Sequence, residues 1–228
     1  MTRFKRLYLG SFSISDKGIN LRKIDKMAGL SFENGLRLHF DSIVLFNSKS
    51  FPSAFFLSVL AIEEIGKSFL LTDFLFHSRI DGRMGEKMEK KWLELIYLHR
   101  TKQNSFAFNF DSIFPTDNFF KSIYKGEQEI LKQNSVYIGL ERNKRKINLK
   151  SRINNPLKIN EKKAQDQITN INDCLLCFIL GAIKEAYCVD ADSVEKLLNE
   201  RLYNKLKKLW PYIHYKTKVR LAKLDKLE

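Results

Sequence analysis

Apolar residues dominate residues 52–77 (PSAFFLSVLAIEEIGKSFLLTDFLFH), and no proline follows the first position of this stretch. On a helix, its apolar side chains would cover the whole circumference, as in helices at the centre of a protein or in a membrane. Glu63, Glu64 and Lys67 fall in the middle, where a membrane would make each charge costly. The pattern therefore predicts the central helix of a helical bundle.

Apolar positions at helical spacing predict further helices on both sides of this segment. Between two of them lie a short β-like run and a basic segment without helical periodicity. We predict an all-α fold: an antiparallel helical bundle over residues 29–190, with a basic N-terminal appendage (1–28), a short basic hairpin-like insertion and a C-terminal helical extension (191–228). The further helices are predicted at residues 30–47, with Ser31 as N-cap, and at residues 86–102, 117–133, 160–187 and 194–210.

The central helix contains an unusual group of residues, EEIGK, at its middle. Glu63 precedes Lys67 by one helical turn, the favourable order for an ion pair, and we expect a buried pair between them. Gly66 weakens a helix interior, so its presence predicts a close approach by another chain segment. A seam of mostly small residues at heptad-like spacing would let another helix pack closely; it consists of Ala54, Ser58, Ala61, Ile65, Ser68 and Thr72.

The chain has 40 lysines and arginines against 26 acidic residues, which gives a net charge of +14. This excess indicates a nucleic acid, an acidic protein or an anionic surface as partner. The basic segment is the best candidate for contacting phosphates, although a solvated surface hairpin would have the same composition. Its candidate RNA-binding residues are Arg142, Lys144, Arg145, Lys146, Lys150 and Arg152.

The three cysteines do not form a disulfide framework. Cys174 and Cys177 have the spacing of zinc ligands, but no second pair of cysteines or histidines lies nearby to complete a site. We therefore expect buried thiols, with no metal and no cofactor. Since the N-terminal residues contain no sustained apolar segment, the sequence also predicts a cytoplasmic protein without a membrane partner.

Four segments carry motifs that occur together in one protein family. The most specific is the A-x(8)-EE-x-GK core within residues 54–74. The others are WLELIYLHRTK with Trp92, His99 and Lys102, then KQNSVYIGL with Lys132 and Tyr137, and NNPLKI with Pro156. Over residues 29–188 these motifs resemble AbiV-type abortive-infection proteins of the HEPN superfamily.

The resemblance implies a HEPN-like bundle that pairs as a homodimer and arrests growth or translation in a phage-infected cell. We also expect the small residues of the seam and the phenylalanines of residues 106–114 to offer surface for this dimer that one bundle does not bury. Its partners would be RNA or a ribosome-associated target, which the net charge independently favours, and a phage protein as activator. HEPN ribonucleases usually carry an arginine, four to six residues and then a histidine, and none of the four histidines here follows that pattern. Whether the protein is an enzyme therefore stays open.

A metal-independent ribonuclease needs a proton carrier, a cation near the phosphate and an orienting group. Two alternatives compete with it. One is a non-catalytic protein that senses a phage polypeptide through a dimer surface of the bundle, and the other is a bundle in which EEIGK is purely architectural. In the catalytic hypothesis His99 or Tyr137 moves protons, Lys67, Lys102 or Lys132 stabilises the phosphorane, and Glu63 or Glu64 orients them.

Overall fold

The computed structural model describes residues 20–80, 86–111, 118–140, 142–143, 146–184 and 189–226, of which residues 142, 143 and 146 are described as backbone alone. Helices form most of this part of the chain, which confirms the predicted all-α fold. The α-helices are α1 (Leu21–Asn47), α2 (Phe51–Ile80), α3 (Glu86–Leu95), α4 (His99–Asp111), α5 (Asn118–Lys125), α6 (Glu127–Asn134), α7 (Glu161–Lys184), α8 (Asp192–Glu195), α9 (Glu200–Leu209) and α10 (Tyr215–Leu224).

Helix α2 is the central element, as its apolar pattern predicts. It packs against α1, α4, α6 and α7. The contact with α1 is the most extensive, and it is made possible by a small residue on α1: a Cβ added at Gly35 would lie 2.6 Å from Ile65 Cγ1 and 3.3 Å from the Ala61 carbonyl oxygen. The small-residue seam of α2 is therefore used inside the bundle, where it lets α1 pack closely.

The same seam was a reason to expect a homodimer, and that reason is wrong. Ala54, Ser58, Ala61 and Ser68 are all fully buried within a single chain. The phenylalanines of α4 differ among themselves, since Phe106 and Phe110 are fully buried whereas Phe108 is 44% exposed. Residues 112–117, with the last phenylalanine of that group, lie outside the described residues. The dimer remains a prediction of the family resemblance, without support from this seam.

Several predicted helix bounds are wrong. Helix α1 begins at Leu21, capped by the Asn20 side chain, which accepts a hydrogen bond from the Arg22 backbone N–H at 2.9 Å; Ser31 is a buried residue inside the helix. The boundary predicted at residue 29 thus falls within a helix. The apolar periodicity also runs on across three turns that break helices, at residues 96–98, at Gly126 and at residues 196–199.

The C-terminal helices share the core of the bundle. Ile24 of α1, Leu206 of α9 and Leu224 of α10 belong to one buried apolar cluster, so the core does not end at the boundary predicted at residue 191. Trp210 is also buried, and its indole N–H donates a hydrogen bond to Thr169 Oγ1 at 3.0 Å. Within the described residues, no helix is both long and apolar enough to cross a membrane.

Helix α10 is attached to α7 through a buried carboxylate. Asp173 Oδ2 accepts hydrogen bonds from the His214 backbone N–H at 3.1 Å, His214 Nδ1 at 2.8 Å and Thr217 Oγ1 at 2.7 Å. These donors lie at the first turn of α10, where backbone N–H groups lack helical partners and favour a negative charge. Asp173 therefore caps α10 from another helix.

The basic segment forms the predicted hairpin-like insertion between α6 and α7. Its strands β1 (Arg142–Asn143) and β2 (Lys146–Ile147) pair antiparallel, and Gly139 forms a bridge with Asn154. The Asn154 side chain donates hydrogen bonds to the carbonyl oxygens of Asn134 and Tyr137, which ties the insertion to the end of α6.

Candidate active site

A buried carboxylate on α2 gathers polar side chains from two other helices. Glu63 is 2% exposed. Its Oε2 accepts a hydrogen bond from His99 Nδ1 at 2.6 Å, and its Oε1 accepts hydrogen bonds from Lys132 Nζ at 2.7 Å and Gln103 Nε2 at 2.9 Å. Lys102 Nζ lies 3.5 Å from Oε2. Both carboxylate oxygens of Glu63 thus accept hydrogen bonds from other helices.

Gly66 allows this gathering, because it is the point where α4 crosses α2. A Cβ at position 66 would lie 1.9 Å from the carbonyl oxygen of Lys102, closer than any real contact. The close approach predicted from this glycine is therefore confirmed. It places His99, the first residue of α4, beside Glu63, and not near the end of a helix as the predicted span 86–102 implied.

A second glycine positions α6 and its lysine. Gly126 has φ +80°, a left-handed conformation that side-chain-bearing residues rarely adopt, and it separates α5 from α6. The Arg100 guanidinium packs against Gly126 and donates a hydrogen bond to the carbonyl oxygen of Tyr124 at 3.1 Å. Helix α4 therefore holds the start of α6, which in turn presents Lys132 to Glu63.

Glu129 extends the cluster on the side of Lys132. Its Oε2 lies 2.7 Å from Lys132 Nζ and accepts a hydrogen bond from Gln103 Nε2 at 3.3 Å. Two carboxylates, Glu63 and Glu129, are thereby balanced by the ammonium groups of Lys102 and Lys132. Such balance is what buried charges require, since an unpaired one would be strongly destabilising.

Glu63, His99 and Glu129 each offer one possible metal-ligand atom, and these atoms lie within 4.8 Å of one another. The Lys132 ammonium, however, lies 2.7 Å from an oxygen of each glutamate, in the position between them that a cation would occupy. A divalent ion would have to displace a buried, hydrogen-bonded ammonium. The donor set therefore fits a charge-balanced hydrogen-bond cluster better than a metal site.

The cluster controls the ionisation of Glu63. Burial by itself raises the pKa of a carboxyl group, because it disfavours the charged form. The hydrogen bonds from Lys132, His99 and Gln103, together with the charge of Lys132, outweigh burial and hold the pKa of Glu63 below its ordinary value of 4.5. Glu63 is accordingly an anion at neutral pH.

An anionic Glu63 fixes how His99 presents its ring. A carboxylate only accepts hydrogen bonds, so His99 Nδ1 carries the proton in this contact. The His99 side chain is 57% exposed, and within the described residues Nε2 has no hydrogen-bond partner. A buried carboxylate that orients one imidazole nitrogen leaves the other as a solvent-facing proton acceptor.

The buried pair predicted between Glu63 and Lys67 is wrong. Lys67 Nζ lies 3.9 Å from Glu64 Oε2, and both side chains are about one-fifth exposed. Glu64 also accepts a hydrogen bond from Asn34 Nδ2 of α1 at 3.2 Å. The two adjacent glutamates therefore contact different helices, because successive residues project from a helix about 100° apart.

The other predicted site residues divide into three groups. His99, Lys102 and Lys132 join Glu63 in the cluster. Tyr137 is 68% exposed and makes no side-chain hydrogen bond to the cluster among the described residues. Of the predicted RNA-binding residues, Lys150 and Arg152 are exposed, whereas the side chains of Arg142, Lys144, Arg145 and Lys146 lie outside the described part of the chain.

Gln103 and Glu129 are members of the cluster that the sequence patterns did not single out. A signal for each exists at helical spacing: Gln103 follows His99 by four residues, and Glu129 precedes Lys132 by three. These spacings place each one on the same helix face as a predicted site residue. They become informative only when both helices are known to face Glu63.

The fold and this cluster define a HEPN-type helical bundle with a buried glutamate–histidine–lysine centre. The family model described as AbiV matches residues 23–176, which include most of α1, the whole cluster and most of α7. The chain therefore belongs to the AbiV family of HEPN proteins, and this membership indicates a role in abortive-infection defence. No curated protein and no solved structure gives a significant match.

Proposed function

We propose that this protein arrests growth of phage-infected cells by acting on RNA in the cytoplasm, and that the Glu63–His99 pair is its acid–base centre. The observation that supports this most directly is the 2.6 Å contact between a fully buried glutamate and a half-exposed histidine. The net charge of +14 supports a polyanionic target. Cys174 and Cys177 are buried and are not joined in a disulfide, which fits a reducing compartment.

Metal-independent RNA cleavage can proceed from such a pair. His99 Nε2 would accept the proton of a ribose 2′-hydroxyl as its oxygen attacks the adjacent phosphorus atom. The bond from phosphorus to the 5′-oxygen breaks and a 2′,3′-cyclic phosphate remains. The 5′-oxygen takes a proton from water, and the hydroxide formed takes back the proton that His99 had accepted. Glu63 would stabilise the imidazolium formed in the first step, as a buried carboxylate does when it orients a catalytic histidine.

The three candidate lysines differ in their availability for phosphate. Lys132 is 7% exposed and lies between two carboxylates, and Lys102 is 8% exposed and faces Glu63. Lys67 is less committed, because its only ion-pair partner among the described residues is Glu64 at 3.9 Å. We therefore assign Lys67 to stabilisation of the phosphorane, and Lys102 and Lys132 to neutralisation of the two glutamates.

The experiment that tests this proposal is incubation of the purified protein with total RNA, with and without EDTA. We expect discrete fragments ending in 2′,3′-cyclic phosphate, unaffected by EDTA and absent with His99→Ala. The matched control is His77→Ala, since His77 lies on α2 away from Glu63. Intact RNA with the wild-type protein, or fragments that persist with His99→Ala, would contradict the catalytic assignment.

A second function is favoured by the apolar side chains on the insertion. Ile138, Leu149 and Leu157 are 76%, 81% and 79% exposed, and such exposure is typical of a protein-binding surface. A non-catalytic protein could sense a phage polypeptide here. Its signature would be growth arrest that persists in His99→Ala but is lost when these three residues are replaced by serine.

The homodimer is part of the proposal through the family, since HEPN bundles commonly pair and two-fold pairing is the commonest soluble assembly. Light scattering at tens of micromolar (roughly ten-thousandfold or more above a nanomolar dissociation constant) should return twice the mass of one chain. A single-chain mass would remove the dimer and leave the assignment of the acid–base centre untouched.

A further inference from the structure

Two exposed tyrosines accompany the acid–base centre on separate chain segments. Tyr97 is 73% exposed and lies two residues before His99, so its Cα is within about 8 Å of the His99 Cα. Tyr137 is 68% exposed, and its backbone N–H donates a hydrogen bond at 3.0 Å to the carbonyl oxygen of Gln133, the neighbour of Lys132. His99 and Lys132 contact opposite oxygens of the Glu63 carboxylate.

The backbone of each tyrosine is fixed by hydrogen bonds, so each ring projects from an ordered part of the chain. The Tyr97 N–H donates to the carbonyl oxygen of Glu94 in the turn between α3 and α4. The Tyr137 carbonyl oxygen accepts a hydrogen bond from the Asn154 side chain at 2.7 Å. Within the described residues, neither hydroxyl has a hydrogen-bond partner that would explain why a large aromatic ring is kept in solvent.

We propose that Tyr97 and Tyr137 are stacking platforms for unpaired RNA bases, and that they hold a single strand across the Glu63–His99 centre. The inference rests on the proposed function and specifies its substrate as single-stranded RNA. Every base has a π-face, so exposed aromatic side chains beside cationic residues bind single strands with little sequence preference. The bases of a duplex are stacked inside it and cannot reach such rings.

The charge of the surroundings favours RNA over an apolar polypeptide as the occupant. Arg100, next to His99, is exposed, and the protein as a whole carries +14. A polypeptide that filled only the apolar surface would gain nothing from these charges. An RNA strand would combine base stacking on the rings with attraction of its phosphates to the lysines and arginines.

The proposal changes the role of Tyr137 from proton transfer to stacking, and one substitution separates the two roles. Tyr137→Phe keeps the ring and removes the hydroxyl. If the residue stacks, Tyr137→Phe should bind RNA more tightly and arrest growth more strongly than Tyr137→Ala, whereas proton transfer predicts that arrest is lost equally in both variants. Tyr137→Ala removes the ring and should weaken RNA binding.

The test is fluorescence anisotropy with a labelled, unstructured RNA of about 12 nucleotides (within the roughly 4–16 nucleotides of common single-strand sites) and with the same RNA annealed to its complement. Tyr97→Ala and Tyr137→Ala should each weaken single-strand binding roughly tenfold. The phenylalanine variants should bind the single strand more tightly than the alanine variants, and duplex binding should change in none of them. The matched control is Tyr215→Ala, because Tyr215 is 80% exposed but lies on α10.

The outcomes are distinguishable from a failure of the proposed function. If the wild-type protein binds neither RNA, the proposed function itself is wrong. If the wild type binds the single strand and both alanine variants bind it equally well, only the stacking role is wrong. Phenylalanine variants as weak as the alanine variants would also overturn stacking, because the hydroxyl would then carry the contact.

Discussion

Gly66 and Lys102 touch at a distance that only glycine permits: a Cβ at position 66 would meet the Lys102 carbonyl oxygen at 1.9 Å. The obstacle is backbone, so it cannot rotate away as a flexible side chain would. Helix α4 can therefore lie close enough to α2 for His99, Lys102 and Gln103 to reach Glu63. The candidate active site can therefore form only because residue 66 has no Cβ atom.

We predict that Gly66→Ala separates α4 from α2. The higher helix propensity of alanine, worth up to about 1 kcal/mol, is opposed by overpacking that typically costs about 1–3 kcal/mol, and a backbone clash belongs at the upper end. The net loss in urea melts should be about 2 kcal/mol, and growth arrest should be lost. The matched control is Gly139→Ala, since a Cβ there meets nothing within 4 Å. An unchanged melt and full activity in Gly66→Ala would contradict the packing described.

The partner of Glu63 gives a second prediction. Replacing Lys132 by methionine leaves Glu63 buried without its closest ammonium, which should cost on the order of 3–5 kcal/mol in the free energy of unfolding. The double variant Glu63→Gln, Lys132→Met should recover part of that loss. Lys67→Met is the control, and it should stay within about 1 kcal/mol of wild type because its ion pair with Glu64 is long and partly exposed. A larger loss of stability for Lys67→Met than for Lys132→Met would instead indicate that Glu63 pairs with Lys67.

Glu63 also shows why the sequence predicted several members of the cluster but not the contacts between them. A buried charge in an apolar helix can be seen from the pattern, and so can an interior glycine. Lys67 was the expected partner because a helix brings residues four apart together, a rule that needs no tertiary structure. Lys132 is 69 residues from Glu63 in the chain, and no local pattern connects them. Long-range pairing of this kind is decided by how whole helices pack.

The helix breaks were missed for a related reason. Ile96 lies in the turn between α3 and α4 but is buried in the core, so the apolar periodicity continues through it. The break nevertheless decides where His99 lies, because it makes His99 the first residue of α4. Asp173 is similar, because it caps α10 by accepting hydrogen bonds from His214 and Thr217, which follow it in the chain by 41 and 44 positions. A cap supplied by another helix leaves no signature at the helix that it caps.

A third prediction concerns pH and His39. This histidine is fully buried with Nε2 3.1 Å from Asn172 Oδ1, and burial lowers its pKa from 6.5 to about 4, although the hydrogen bond to Asn172 acts in the opposite direction. Between those values the unfolded chain binds a proton that the folded protein does not. The contribution of His39 to stability should therefore fall as the pH drops through this window, by about 2 kcal/mol between pH 7 and pH 5 at 1.36 kcal/mol per pKa unit. Burial raises the pKa of Asp73 to about 6, so Asp73 acts in the opposite direction over the same window and the contribution of His39 has to be read from a variant that lacks it.

Urea melts at the two pH values check this, with His39→Gln as the comparison. The glutamine amide can still donate to Asn172 but does not titrate, so about 2 kcal/mol of the pH dependence should disappear (the same 1.36 kcal/mol per unit). Glu63 does not interfere at these pH values. Its pKa is held below 4.5, so its contribution is present above that value and is lost only as the pH falls through the lower, folded value. An identical pH dependence in wild type and variant would show that His39 titrates normally.

The last prediction separates RNA binding by the basic insertion from chemistry at Glu63–His99. Arg142 and Lys146 lie in the two short strands, and Lys144 and Arg145 come between them in the sequence. In the same insertion Ile147 and Leu149 are exposed, as are Lys150 and Arg152. If Arg142, Lys144, Arg145 and Lys146 contact phosphates, each releases counterions on binding, and each loss should reduce the slope of log affinity against log salt by roughly 0.7–0.9. Replacing all four by serine should weaken RNA binding most at low salt, with an unchanged urea melt.

His99→Ala should show the opposite behaviour: a normal slope and affinity but no growth arrest, because the histidine is proposed to move a proton and not to hold the strand. Filter binding at several salt concentrations beside a growth assay measures both. A normal salt slope in the fourfold variant would place the phosphate contacts elsewhere, and arrest that survives His99→Ala would mean that binding alone stops growth.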